Sequence, residues 1–208
     1  QSPTVSHTTQ PSANDTTPKP ARRKNTRDNL LQAAEIEFGD KGFHSAAISG
    51  ITHRAGVALG TFYTYYESKE EIFHDLVTYM SQRTRRWIGE RVSGAPDRMA
   101  AERLGIEAYI EFARRHKGLY RIITEAEFVA NDAYREHYES FASAYRDNLE
   151  KAGESGDIRQ GDYDTWTWAI MGIAVFLGMK YTEWDDNVPA ARVAEIVTDL
   201  IANGIKPR

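Results

Sequence analysis

The chain has 208 residues, 41% of them apolar, and a formal net charge of −4, which suits one or two domains with a real core. It contains no cysteine, which excludes disulfides, thiolate catalysis and cysteine-ligated zinc together. No apolar run approaches the length of a membrane span, and no basic segment leads into an apolar stretch, so a bacterial cytoplasmic protein is expected.

Residues 1–20 are Ser, Thr, Pro, Gln and Asn with almost nothing to bury, so a disordered tail over 1–21 is expected. Residues 1–27 hold Lys19, Arg22, Arg23, Lys24 and Arg27 against Asp15, a charge of +4 that leaves −8 for the remainder. An acidic body with a basic leading edge suits contact with nucleic acid at one end, and a basic arm could follow the phosphate backbone or enter the minor groove. A solubilising leader would look the same.

A first helix is expected from near Thr26 to Asp40, with Leu30, Leu31, Ala34 and Phe38 inward and Gly42 ending it. Ile48, Ile51 and Ala55 then repeat at helical spacing until Gly56, and after a three-residue break Leu59, Phe62 and Tyr66 begin another pattern. Two short helices meeting at a tight turn are the result. The outer face of the second carries Leu59, Thr61, Tyr63, Thr64 and Tyr65, a hydroxyl-rich, nearly uncharged surface that suits a DNA major groove. Ser68-x-x-Glu71 is a capping box that opens a long helix with the stripe Ile72, Phe73, Leu76, Val77 and Met80, continuing to about Val92. Lys69 falls in its first turn beside free backbone amides, where a phosphate could bind.

The run Arg54 to Glu70 (RAGVALGTFYTYYESKE), with Phe38 and Gly42-Phe43 before it and the match reaching Leu76, closely resembles the helix-turn-helix of the TetR family of bacterial transcriptional regulators. The resemblance implies an all-α, dimeric protein of about nine helices. A DNA-binding domain over 22–73 would be followed by a ligand-binding and dimerisation domain over 74–208. It further implies operator contacts from Ser49, Leu59, Gly60, Thr61, Tyr63, Thr64, Tyr65 and Lys69. The family usually has Thr where this chain has Ala47 and Ser where it has Ala58. Alanine cannot cap, at about 1 kcal/mol per helix start, and Gly50 inside the first short helix costs up to about 1 kcal/mol more. Ser45 is the nearest replacement cap.

Pro96 can open a fifth helix through Leu104, Ala108 and Phe112 to His116, and a short helix from Leu119 to about Val129 follows Gly118. Asn131-Asp132 can cap a seventh helix from Ala133 to Ala152, aromatic along Tyr134, Tyr138, Phe141 and Tyr145. Asp162 caps an eighth, to Tyr181, that is apolar all round and therefore expected to be buried all round. The last, from about Pro189 to Asn203, is striped. Two such helices per subunit would form a four-helix interface through Ile173, Leu177, Val193, Val197, Leu200 and Ile201.

No phosphate-loop or dinucleotide motif is present, and Glu71-x-x-His74 lacks the second copy that a di-iron site needs. Neither an enzyme, a cofactor nor a metal is expected. The tyrosines and tryptophans of the C-terminal half exceed what a plain aliphatic core uses, and a cavity would give their polar atoms partners. The expected walls are Phe112, Tyr120, Phe128, Tyr138, Phe141, Trp166 and Met171, with Glu127, His137 and Tyr145 orienting a polar group.

The expected function is a homodimeric repressor of a near-palindromic double-stranded operator, released by a small apolar effector, aromatic or an acyl thioester, with no membrane partner. The rival is a helical ligand-binding or adaptor protein without sequence-specific DNA binding, which Ala47 and Ala58 would fit.

Overall fold

A computed structural model describes residues 19–205, with side chains from residue 23 onward. The tail expected over 1–21 therefore lies outside the described residues, save that 19–21 already belong to the first helix. The described residues form nine α-helices: α1 (Lys19–Ser45), α2 (Ile48–Ala55), α3 (Leu59–Phe62), α4 (Lys69–Val92), α5 (Arg98–Arg115), α6 (Leu119–Val129), α7 (Asn131–Glu154), α8 (Tyr163–Met179) and α9 (Ala190–Asn203). A π-helical turn, Lys180–Trp184, continues α8.

α1 starts about two turns earlier than expected and is broken at Gly42, whose φ of 76° lies in the left-handed region. Leu30, Leu31, Ala34 and Phe38 turn inward and pack with Ile51 and Phe62 of the short helices and with Ile72, Phe73, Leu76, Val77 and Met80 of α4. Phe38 and Phe73 meet edge to face, centroids 5.0 Å apart. Each of the larger of these buried side chains contributes about 2 kcal/mol through burial, and truncating Phe38 to alanine would cost about 3–5 kcal/mol.

α4 runs through both halves of the molecule. Its start is capped as the sequence predicts, Ser68 Oγ accepting from the Glu71 amide at 3.1 Å, and its 24 residues span about 36 Å. Its early stripe packs on α1, and it also contacts α5, α6 and α7, Trp87 in its later turns donating to the Ala108 carbonyl of α5 at 3.0 Å. Where α1 crosses α6, Gly39 and Gly118 touch backbone to backbone, and a Cβ on Gly118 would stand 2.7 Å from the Gly39 Cα. The Glu125 carboxylate of α6 accepts from the Phe43 amide at 2.7 Å, and Arg121 donates to the Asp40 carbonyl at 2.8 Å. Glu35 of α1 pairs with His116 and, at 3.4 Å, with Arg83 of α4. The N-terminal unit is thus tied to the rest at several points around the end of α1.

A second core joins α5 to α9 through Ile106, Ile110, Val193, Ala194 and Val197. Arg114 locks the π-turn beside it, donating to the carbonyls of Tyr181 and Val188. Two expectations fail, one about a cap and one about burial. The side chain of Asn131 donates back to the Glu127 carbonyl, while Asp132 pairs with His74, so α7 begins without a side-chain cap. α8 is not buried all round, because Trp168 and Phe176 are exposed.

Candidate nucleic-acid interface and apolar cavity

Gly56, at φ 66°, turns the chain between α2 and α3, and its amide closes onto the carbonyls of Thr52 and His53. α3 proper is only four residues long and continues as turns to Tyr66, which is buried with Phe62 beneath it. Of the residues expected at a duplex, Ser49, Leu59, Gly60, Tyr63 and Thr64 are exposed, Tyr63 at 54%, whereas Thr61 and Tyr65 are half-buried. Thr64 donates its hydroxyl to the Gly60 carbonyl. Ala47 and Ala58 make no side-chain cap, and Ser45 supplies none in their place.

Lys69 sits otherwise than its sequence position suggests. Its ammonium donates to the carbonyls of Phe43 at 2.7 Å, Ala46 at 3.1 Å and His44 at 3.4 Å, and lies 4.5 Å from the centre of the Phe43 ring. It therefore closes the carboxyl end of α1, whose free carbonyls favour a cation. A phosphate contact would compete with these bonds.

In the C-terminal half, α4, α5, α7 and α8 enclose an apolar cavity of about 250 Å³. His137, Tyr138, Phe141 and Tyr145 of α7 and Met171 of α8 line it, as the sequence predicts. Phe112, Tyr120, Glu127, Phe128 and Trp166 do not. Phe112 is consumed by the first core, stacked on His116 with centroids 4.2 Å apart. Glu127 is exposed, as is Phe128 at 83%, and Trp166 packs on Tyr163, Gly161 and Arg159 at the start of α8. Tyr120 stands behind the wall, donating from its hydroxyl to the Tyr109 hydroxyl and the Val175 carbonyl.

The walls that sequence reasoning missed come from α4 and α5: Arg85, Ile88, Val92, Arg98, Glu102 and Tyr109. Only the i,i+4 spacing of Arg98 and Glu102 offered a signal. These two form a buried ion pair at 2.6 Å, and the Tyr145 hydroxyl donates to the second carboxylate oxygen of Glu102. Burial, with the Glu102 charge adding to it, raises the Tyr145 hydroxyl well above its ordinary pKa. His137 goes the other way. Burial, helped by the Arg85 charge, pushes it down to about 4, so its imidazole is neutral at pH 7.

Of the six residues expected at a dimer interface, Val193 and Val197 are used within the subunit, 3% and 4% exposed against α5. That expectation is corrected: a single stripe on α9 faces its own core. Ile173, Leu177 and Ile201 are half-buried on the same core, and Leu200 is 40% exposed beside Ile196 on the outer side of the helix.

Residues 30–76 match the bacterial regulatory proteins of the tetR family. The match to that family covers this segment, from α1 through α2 and α3 into α4. The HTH-type transcriptional regulator YdgC of Bacillus subtilis is 29% identical over 188 residues, covering 88% of this chain and 94% of its own. Among solved TetR-like structures, the fatty acid degradation regulator FadR of Bacillus halodurans superposes with a TM-score of 0.76 at 22% identity, covering 88% of this chain and 97% of its own. FadR of Bacillus subtilis, solved in complex with stearoyl-CoA, gives 0.74 at 22% identity, covering 86% and 99%. No helix among the described residues is long and apolar enough to cross a membrane.

Proposed function

We propose that the chain is a homodimeric repressor that binds a near-palindromic operator through α2 and α3 and is released by an apolar effector held between α4, α5, α7 and α8. The observation that carries this reading is the span of α4. One end starts at Ser68, beside the exposed face of Leu59, Tyr63 and Thr64, and the other walls the cavity with Arg85, Ile88 and Val92. An effector that prefers the non-binding conformer would displace α4 and change the spacing between the two reading helices of a dimer. Ser49, Gly60, Thr61 and Tyr65 flank the reading face. Lys69 supports it from behind through its carbonyl bonds.

Dimerisation is supported by the exposed apolar surface of α8 and α9, where Trp168, Phe176, Ile196 and Leu200 face outward. Such a patch rarely stays in water. An acyl chain suits the cavity's aliphatic and aromatic walls, and stearoyl-CoA in the FadR of Bacillus subtilis supports that class of effector.

Fluorescence anisotropy with the DNA upstream of the protein's own gene tests the proposal. Sequence-selective binding at about nanomolar concentration is expected, weakened by Tyr63→Ala without loss of helicity. Equal affinity for unrelated duplexes would instead favour an adaptor without operator recognition.

A further inference from the structure

Three charged side chains line the cavity. Arg98 and Glu102 neutralise each other at 2.6 Å, and Tyr145 occupies the remaining carboxylate oxygen, so this end is satisfied from within. An incoming ion there would have to break a buried pair. Arg85 is different. It makes no ion pair and no hydrogen bond among the described residues, and lies only against the Phe141 ring, 5.8 Å from its centre.

The groups around Arg85 are also without partners. Neither nitrogen of the His137 imidazole has a hydrogen-bond partner, and Nδ1 is buried. The ring lies 5.2 Å from Phe141 and 4.8 Å from Tyr138, centroid to centroid, and the Tyr138 hydroxyl likewise has no partner. A buried polar atom such as the His137 Nδ1 is seldom left unpaired, and Arg85 beside it is half-buried without a counter-charge. One fixed positive charge and two neutral donors thus stand in a cavity whose other charged pair, Arg98 and Glu102, is closed on itself.

We infer that the effector is an amphiphile with a free carboxylate, held by Arg85 with His137 and Tyr138, and an apolar tail running along α7 toward Tyr145. The inference rests on the reading of this cavity as the effector site. A planar monoanion matches a guanidinium in charge and in fork geometry. A phosphate dianion would leave one charge uncompensated, and a thioester carbonyl would leave Arg85 unneutralised. The tail has room between Ile88, Val92, Ile106, Ile170 and Val175, since His137 and Tyr145 stand about 12 Å apart along the helix.

Isothermal titration calorimetry on the full chain decides it, with dodecanoate, dodecanol and dodecanoyl-CoA as probes below their micelle concentrations. Dodecanoate should bind about tenfold or more tightly than dodecanol. Arg85→Gln should erase that difference while dodecanol affinity stays, which also shows the cavity intact. Equal affinity of acid and alcohol for the unmodified chain, or tighter binding of the thioester than of the acid, overturns the carboxylate and leaves an apolar effector standing. If none of the three binds, both the carboxylate and the apolar-effector reading fall.

Discussion

The space left by the missing side chain of Gly50 is filled by the carboxylate of Glu37. A Cβ at Gly50 would overlap that carboxylate, whose Oε2 would lie only 2.9 Å from it. Glu37 is 1% exposed and binds Lys41 at 2.7 Å, Arg54 at 2.9 Å and the Ala47 amide at 3.5 Å. Desolvation works against its charge, but the bonds from Lys41, Arg54 and the Ala47 amide prevail and hold its carboxyl below the ordinary range. The carboxylate thus stands at the amino end of α2, where Ala47 offers no cap and a negative charge is favoured.

Gly50→Ala should therefore destabilise the protein, by about 2 kcal/mol, although alanine is the better helix former by about 1 kcal/mol. Urea denaturation measures it. A rise in stability would mean that Glu37 can move aside freely.

Lys69→Met should lower stability by about 2 kcal/mol, because three carbonyls lose a charged donor. The slope of operator affinity against salt should stay as it is. A slope reduced by about one unit, with unchanged melting, would return Lys69 to the phosphate backbone.

His137 sets a pH dependence. Its folded pKa of about 4 lies below the unfolded value of 6.5, so above pH 6.5 both states are neutral and the group is silent. As pH falls from 6.5 toward 4 the unfolded chain takes up the proton first, and stability is lost, by up to about 3 kcal/mol. His137→Phe should remove this component, seen as a smaller loss between pH 7 and pH 5 in parallel urea titrations. An unchanged loss would show that His137 is solvated.

Leu200→Glu and Val197→Glu should fail differently. Leu200 is 40% exposed, so a charge there should leave folded subunits that no longer pair, whereas Val197 is 4% exposed within its own subunit, and a charge there should unfold it. Light scattering with circular dichroism separates the two. A Leu200→Glu dimer would move the interface off α9.

Helical periodicity made the elements legible where one face meets a core, as in Phe38 of α1 or Leu76 of α4. It failed where the partner is distant in sequence. The reason for Gly50 lies 13 residues earlier in Glu37, and the π-turn after α8 depends on Arg114 binding carbonyls 67 and 74 residues onward. In the cavity, α7 announced His137, Phe141 and Tyr145 by its aromatic face. Arg85 and Ile88 were hidden, because α4 changes its packing partner midway and its early stripe does not foretell the late one. Phe112 and Trp166 were misassigned for a related reason: an aromatic at helical spacing looks the same whether it fills a core or a wall.

Selection of bound sequences from random duplex DNA tests the central claim most directly. An inverted repeat with half-sites about one or more helical turns apart should be enriched, and an apolar carboxylate should release it from the protein. Recovery of no motif, at salt low enough for non-specific DNA to bind, would contradict an operator-binding dimer.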